Sequence, residues 1–362
     1  MQSKIIELLR ITGSPFSGDC HKKEVLESEV LFKLAHANRI GLLYLQTLKD
    51  NGKLKKLEKE YNNLYNRYHE TLVTTANLSV VLNDNNIPYT TIKTIRPFPA
   101  TPNDVDVIFL GRTQDFKEAN NILKKNGYRE FLKAPGQILY FDERSGDLFN
   151  KVKKVGKQGG IYYIDFYREL MVKRFIYLDR KKLSKYIIEQ KILEDGVTNV
   201  LMPPVDLALI LFHACFPNRM YSLEIFYTTL FHLKSMGKDD IIIFNNFIKN
   251  SSIQLAVKSS LSITKEIYSN VFGEVPQIFS RLLNRKEIRR FPIRKIVCNA
   301  ELPPFKVKFW LFFTIFIHRL SHFISFRSFI VQILCFINPK YLIRFLNQLL
   351  NKKEIDDRYK QV

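Results

Sequence analysis

Residues 87–167 carry short apolar runs in strand-like alternation, and helical patterns flank them on both sides. The run from Ile87 to Ile95 is rich in β-branched residues, and the run from Asp104 to Leu110 alternates before Gly111. Alternation with a period of two over so few residues predicts strands, whereas the flanking spacings of three and four predict helices. The sequence therefore predicts an α+β fold in which helices enclose a small mixed sheet.

Changes of pattern along the chain predict four regions. N-terminal helices cover 1–82, an α/β core covers 83–200, a helical domain covers 201–284, and a basic, aromatic-rich helical tail covers 285–362. A chain of 362 residues can bury a substantial core in one or two such domains. The N-terminal segment lacks the apolar stretch of a secretory signal, which favours a cytoplasmic protein.

The charge of the chain restricts the class of its partners. Lys and Arg number 56 against 35 Asp and Glu, which gives a formal net charge of +21. A positive surface attracts nucleotides, nucleic acid and anionic lipid headgroups without distinguishing among them. No base-reading motif occurs in the sequence, so nucleic acid is not the favoured partner, although an RNA-modifying transferase stays open as an alternative.

Asp104 and Asp106 lie two residues apart on the second predicted strand. Side chains at this spacing project from the same face, so both carboxylates can reach one divalent ion or two neighbouring ions. Asp165 lies inside a later apolar strand, where a buried charge requires a partner or a metal. Oxygen ligands suit Mg²⁺, and pairs of such ions support phosphoryl chemistry. The sequence therefore predicts a metal site formed by Asp104, Asp106 and Asp165.

A long helix, a strand containing Lys93, the strand with Asp104 and Asp106, and a helix ending at Gly127-Tyr128 follow one another along the chain. This order resembles the uncharacterised nucleotidyltransferase-like family of the DNA polymerase β superfamily. The resemblance extends over residues 30–235, with further matches at Ile87-Pro88, at Ile164 to Tyr167 and at Pro204 to His213.

The resemblance implies a polymerase-β-like nucleotidyltransferase core that transfers a nucleoside monophosphate from an NTP to an acceptor. It implies that Asp104 and Asp106 bind two Mg²⁺ ions and that Asp165 binds the catalytic ion or acts as a base. Lys93 and Arg96 would then hold the triphosphate. The sequence identifies neither the acceptor nor the nucleotide.

One position departs from the pattern of that family. The superfamily has a glycine where this chain has Thr94, at the start of a helix that binds the nucleotide phosphates. Pro97 and Pro99 follow and remove backbone donors. Either Lys93, Thr94 and Arg96 bind phosphate through their side chains, or the chain is a non-catalytic relative that binds a ligand or partner at a membrane surface. The sequence does not decide between an enzyme and such a relative.

The tail combines cations with two strongly apolar runs, Phe309 to Ile317 and Phe329 to Ile337. Each run is too short to cross a bilayer, which takes about 20 residues. Helices with aromatic residues on one side and cations on the other lie at a membrane surface. Residues 305–350 are therefore expected to contact an anionic membrane, at its inner face for a cytoplasmic protein. Ordinary core helices or an oligomer interface are the alternative.

Overall fold

The computed structural model describes residues 2–16, 27–102, 104–134, 136–142, 163–172, 174–194, 196–283 and 304–336. Within them the chain is a mixed α+β protein, as predicted. The predicted tail is covered over 304–336, and its remaining parts lie outside the described residues. The chain divides into two compact units. Unit 1 takes the described residues within Met1–His69, Ile95–Pro102 and Met202–His318, and unit 2 takes those within Glu70–Thr94, Asn103–Leu201 and Arg319–Val362.

Helices and strands are numbered over the described residues. The helices are α1 (Gln2–Thr12), α2 (Glu29–Ala37), α3 (Gly41–Asp50), α4 (Glu58–Asp84), α5 (Phe116–Lys125), α6 (Pro203–Cys215), α7 (Leu223–Ser235), α8 (Lys238–Asn250), α9 (Gln254–Phe272), α10 (Gln277–Leu282), α11 (Phe309–Leu320) and α12 (Phe323–Phe336). The strands are β1 (Tyr89–Thr91), β2 (Asp104–Phe109), β3 (Tyr128–Ala134), β4 (Gln137–Asp142), β5 (Tyr163–Tyr167), β6 (Leu170–Val172), β7 (Phe175–Leu178), β8 (Ile187–Lys191), β9 (Val197–Leu201), β10 (Met220–Tyr221) and β11 (Phe305–Lys306).

A mixed sheet forms the centre of unit 2, and its described strands run in the order β3-β4-β5-β2-β1-β9-β8. β2 pairs in parallel with β5, and β1 pairs in parallel with β9, whereas the other neighbours are antiparallel. The register of β2 and β5 sets Asp106 opposite Asp165. Because residues two apart on a strand share a face, Asp104 projects from that same face.

The opposite face of this sheet is apolar and packs against α4 and α5. Val105, Val107 and Phe109 of β2 belong to one buried cluster together with Leu82 of α4 and Leu123 of α5. Each such side chain contributes about 1.5–3 kcal/mol when it leaves water completely. The alternation of β2 therefore fixes its aspartates on the face away from this core.

Helix α5 shows how the sequence terminates an element of this core. Asn126 is its C-cap, and Gly127 follows with φ 84°. This left-handed conformation favours glycine, because a Cβ would crowd the backbone. The chain turns there and enters β3 at Tyr128, which is buried.

Unit 1 is mainly helical, with α6 packed against α7, α8 and α9. Pro203 and Pro204 occupy the first turn of α6, where a missing N–H costs no intrahelical hydrogen bond. Leu207, Leu211 and Phe212 of this helix are fully buried. The apolar run that follows Met202 is therefore the centre of the helical core.

The two apolar runs of the tail fold as α11 and α12. None of the described helices is both long and apolar enough to cross a membrane alone. Only α11 and Phe323–Leu334 together reach the necessary length and hydropathy, and they do so as a sharply bent pair.

Candidate metal centre

Asp104, Asp106 and Asp165 come together on the sheet face opposite α4 and α5. One carboxylate oxygen from each lies within 4.8 Å of the other two. Asp106 and Asp165 are buried, and Asp104 is partly exposed. Hard divalent cations bind oxygen at about 2.0–2.6 Å, so oxygens this close fit a shared ion or a pair of ions. The three predicted metal ligands therefore lie where one cation can contact them all.

Lys93 supplies positive charge to this cluster. Its Nζ lies 3.3 Å from Oδ1 of Asp106 and 5.7 Å from the centroid of the Tyr167 ring. Lys93 follows β1 closely and has φ 55°, a conformation that residues other than glycine adopt infrequently. Such backbone strain persists only where surrounding contacts impose it, and it is frequent at functional sites. The ammonium offsets part of the negative charge of the three carboxylates.

Tyr167 is a member of the cluster that was not predicted. Its hydroxyl donates a hydrogen bond to Oδ2 of Asp165 at 3.0 Å. Burial, and then the charges of Asp106, Asp165 and Asp104, holds the pKa of Tyr167 well above its ordinary value. The phenol is therefore a neutral donor that fixes the orientation of Asp165. The signal was available, because Tyr167 lies two residues after Asp165 and shares its face of β5.

Tyr177 of β7 also belongs to these surroundings. Its side chain is buried, and burial together with the negative charge of Asp106 raises its pKa. No spacing rule connects Tyr177 with the aspartates, because β6 and β7 form a separate hairpin.

Thr94 positions the backbone of Asp106. Its Oγ1 accepts a hydrogen bond from the Asp106 N–H at 2.8 Å and donates to the Ile92 carbonyl at 3.1 Å. The side chain is buried, and its one hydroxyl hydrogen is already used within the chain. The helix that the family resemblance implies after Thr94 is absent from the described residues 92–102, where Pro97 and Pro99 lie.

Arg96 is bound within unit 1. Its Nη2 and Nε lie 2.9 and 3.1 Å from Oε1 of Glu224, and both side chains are largely buried. Arg39 lies near the same carboxylate, with Nη1 3.8 Å from Oε2. Of the residues predicted to bind phosphate, Lys93 and Thr94 thus belong to unit 2 with the aspartates, and Arg96 belongs to unit 1.

The donor set suits a hard cation, because it offers three carboxylates, two of them buried, and neither thiolate nor imidazole. No family model matches the chain, and no curated protein is similar to it in sequence. The geometry of the aspartates is therefore the basis on which a function is proposed.

Proposed function

We propose that the chain is a metal-dependent nucleotidyltransferase with a polymerase-β-like core, which transfers a nucleoside monophosphate from an NTP to an acceptor hydroxyl. The observation that carries the proposal is the pairing of Asp106 with Asp165 in adjacent parallel strands, with Asp104 on the same face. Carboxylates arranged in this way suit the binding of Mg²⁺ beside nucleotide phosphates.

Asp104, Asp106 and Asp165 would hold one or two Mg²⁺ ions. When bound, these ions would polarise the phosphoryl oxygens and neutralise the charge that develops during transfer. Asp165 would complete the ligand set or accept the proton of the acceptor hydroxyl. The acceptor oxygen forms a bond to the α-phosphorus, and the bond from that phosphorus to pyrophosphate breaks. Tyr167 would keep the Asp165 carboxylate oriented throughout.

Lys93 fits a second task in the same reaction. Its ammonium is paired with Asp106 and is carried by the same unit. When a cation takes over the neutralisation of Asp106, the ammonium can exchange that carboxylate for a phosphate oxygen. Lys93 would thus link metal binding to triphosphate binding.

A non-catalytic relative is the second candidate, and the surroundings of Thr94 and Arg96 favour it. The Thr94 hydroxyl hydrogen is donated to Ile92, and Arg96 is paired with Glu224. Residues 92–102 contain no helix whose N-terminus could donate to phosphate. Such a protein would bind a metal ion or another ligand at the three aspartates without transferring nucleotide.

The test is calorimetry of a panel of NTPs with and without Mg²⁺. The wild type, Asp104→Asn/Asp106→Asn, and a control with the same charge change, Glu118→Gln/Glu189→Gln, are compared. The control residues are exposed in unit 2. Mg²⁺-dependent NTP binding that is lost only in the aspartate variant supports the proposal. If folded wild type shows no Mg²⁺-dependent NTP binding, the proposal is overturned.

Turnover separates the two candidates. With water as a slow acceptor, a nucleotidyltransferase releases pyrophosphate and a nucleoside monophosphate, whereas the non-catalytic relative releases neither. Metal-dependent NTP binding without pyrophosphate release, over long incubation and with varied acceptors, favours the non-catalytic relative.

A further inference from the structure

Helix α12 of unit 2 has polar side chains on its inner side and apolar side chains on its outer side. Ser325 and Ser328 are buried. The outer positions include Phe323, which is 76% exposed, and Phe326, Ile330, Val331, Ile333 and Leu334. Among the residues of α12 whose exposure is described, Arg327 is the only exposed polar one. A helix bordered by water has the opposite distribution.

Hydrogen bonds hold α12 in this orientation. Ser328 Oγ accepts from the backbone N–H of Ile176 in β7 at 2.9 Å. Ser325 Oγ accepts from Nη2 of the buried Arg319 at 3.3 Å. Rotation of the apolar side inward would break both bonds and would leave Arg319 without this acceptor. The outward direction of the apolar side chains is therefore built into unit 2.

Helix α11, considered within unit 1, also exposes an apolar face. Leu311 and Ile315 are buried, and the Phe312 ring stacks on Phe216 at a centroid distance of 5.0 Å. The outer side nevertheless carries Phe309, Trp310, Phe313 and Ile317, with exposures of 62, 43, 50 and 50%. The inner face of α11 already packs against unit 1, so packing within the unit does not explain why the outer face is also apolar. Exposed apolar surface of this kind marks a site of interaction.

The charge around these helices identifies the partner. From Leu302 to Lys353 the sequence contains no Asp or Glu, whereas Lys and Arg recur. Lys306 and Arg327 are exposed. A second copy of this chain, with its formal net charge of +21, would be repelled at such a surface. Anionic lipid headgroups would be attracted, and acyl chains accept exposed Phe, Ile and Leu without a matching shape.

We propose that α12, and separately α11, bind the surface of an anionic phospholipid bilayer, with their apolar sides toward the acyl chains. The attachment lies along the surface. Helix α12 has 14 residues, about 21 Å at 1.5 Å per residue, against a hydrocarbon thickness of about 30 Å. This binding does not depend on nucleotide transfer at the aspartates.

Sedimentation of the full chain with vesicles tests the proposal. Wild type should bind vesicles of phosphatidylcholine mixed with phosphatidylglycerol, bind phosphatidylcholine alone weakly, and lose affinity as salt screens the charges. Phe323→Ser/Phe326→Ser/Ile330→Ser should weaken binding by at least about tenfold. The control Val30→Ser/Val80→Ser/Ile242→Ser removes apolar residues of α2, α4 and α8 that are 47, 53 and 57% exposed, and it should bind as wild type does.

Fluorescence reports on α11 separately. Trp310 is the single tryptophan of the chain, and its emission should shift to shorter wavelength when anionic vesicles are added. Brominated lipid should quench it. An unshifted Trp310 in vesicle-bound protein would overturn the role of α11 while leaving that of α12.

Three results would overturn the proposal for α12. In the first, wild type stays in solution when anionic vesicles are added. In the second, the α12 triple variant and the control triple variant lose vesicle binding to the same extent. In the third, wild type self-associates in light scattering, the α12 variant does not, and vesicles bind neither of these two proteins. Circular dichroism establishes that the variants fold. If the triple variant does not fold, Phe323→Ser, at the most exposed of these positions, takes its place.

Discussion

Lys93 and Asp106 form an ion pair in which Nζ lies 3.3 Å from Oδ1, and their side chains are only 11% and 9% exposed. Asp165 and Asp104 lie beside this pair and add further negative charge. Buried like charges destabilise one another unless a cation offsets them. Lys93 therefore acts as a counter-ion within the chain and competes with any metal that binds there.

Lys93→Met should raise the affinity for Mn²⁺ by about tenfold in the absence of nucleotide, because the competing charge is removed. Affinity for an NTP in the presence of metal should fall. Calorimetry with Mn²⁺ measures the first effect, and Lys93→Arg, which retains the charge, should stay close to wild type. A Lys93→Met protein with unchanged or weaker Mn²⁺ binding would contradict the role of Lys93 as a competitor.

Asp165→Asn should affect stability in opposite directions with and without metal. In EDTA the free energy of unfolding of the variant should equal that of wild type or be higher by up to about 1 kcal/mol. The reason is that one of the three neighbouring negative charges has been removed. The amide oxygen can still accept the hydrogen bond from Tyr167. With Mn²⁺ at roughly 100 times its Kd, wild type should gain about 2.7 kcal/mol and the variant far less.

Urea unfolding in EDTA and in Mn²⁺ measures the free energy of unfolding of Asp165→Asn and wild type under both conditions. Glu189→Gln, an exposed change in the same unit, should gain as much from Mn²⁺ as wild type does. Equal stabilisation of all three proteins would place the metal elsewhere.

Thr94→Val should destabilise the chain by about 1–3 kcal/mol, because the buried N–H of Asp106 loses its acceptor. The side chains have similar volumes, so the change isolates the hydroxyl. Thr94→Ser restores the hydroxyl and should recover most of the stability. A Thr94→Val protein as stable as wild type in urea would show that this hydrogen bond contributes little.

Local pattern was sufficient to predict the face on which the aspartates lie. The alternation of β2 predicts that Asp104 and Asp106 share one face, and in the structure they do, while Val105 and Val107 pack in the core on the other face. What the pattern does not contain is the register of β2 with β5, which sets Asp106 opposite Asp165. That register depends on packing between distant segments.

Contacts across long stretches of sequence account for most of what was not predicted. The partner of Arg96 is Glu224, which is 128 residues away, and no local spacing connects them. Strand β8 was missed, because it is an edge strand with mostly exposed side chains and little alternation. Helical periodicity runs from α2 into α3, yet the chain breaks between them around Arg39, whose φ is 60°. Periodicity continues across this break because both helices bury apolar faces.

His232 of α7 should make the stability of the chain sensitive to mild acid. Burial, and then the charge of Arg96, lowers the pKa of His232 to about 3, and its Nε2 lies 3.9 Å from Asp206, too far for a hydrogen bond. In the unfolded chain the pKa returns to about 6.5. Below that pH the unfolded chain binds a proton that the folded chain does not, so the free energy of unfolding falls as the pH decreases from 6.5 toward 3.

Between pH 7.5 and pH 5.5 this linkage should remove about 1.4 kcal/mol from wild type. His232→Gln should lack that part of the pH dependence, whatever its stability at neutral pH, because glutamine does not titrate. Urea unfolding at the two pH values measures the difference, and the exposed His318→Gln should retain the behaviour of wild type. Parallel pH profiles for wild type and His232→Gln would mean that His232 accepts a proton in the folded chain as readily as in the unfolded one.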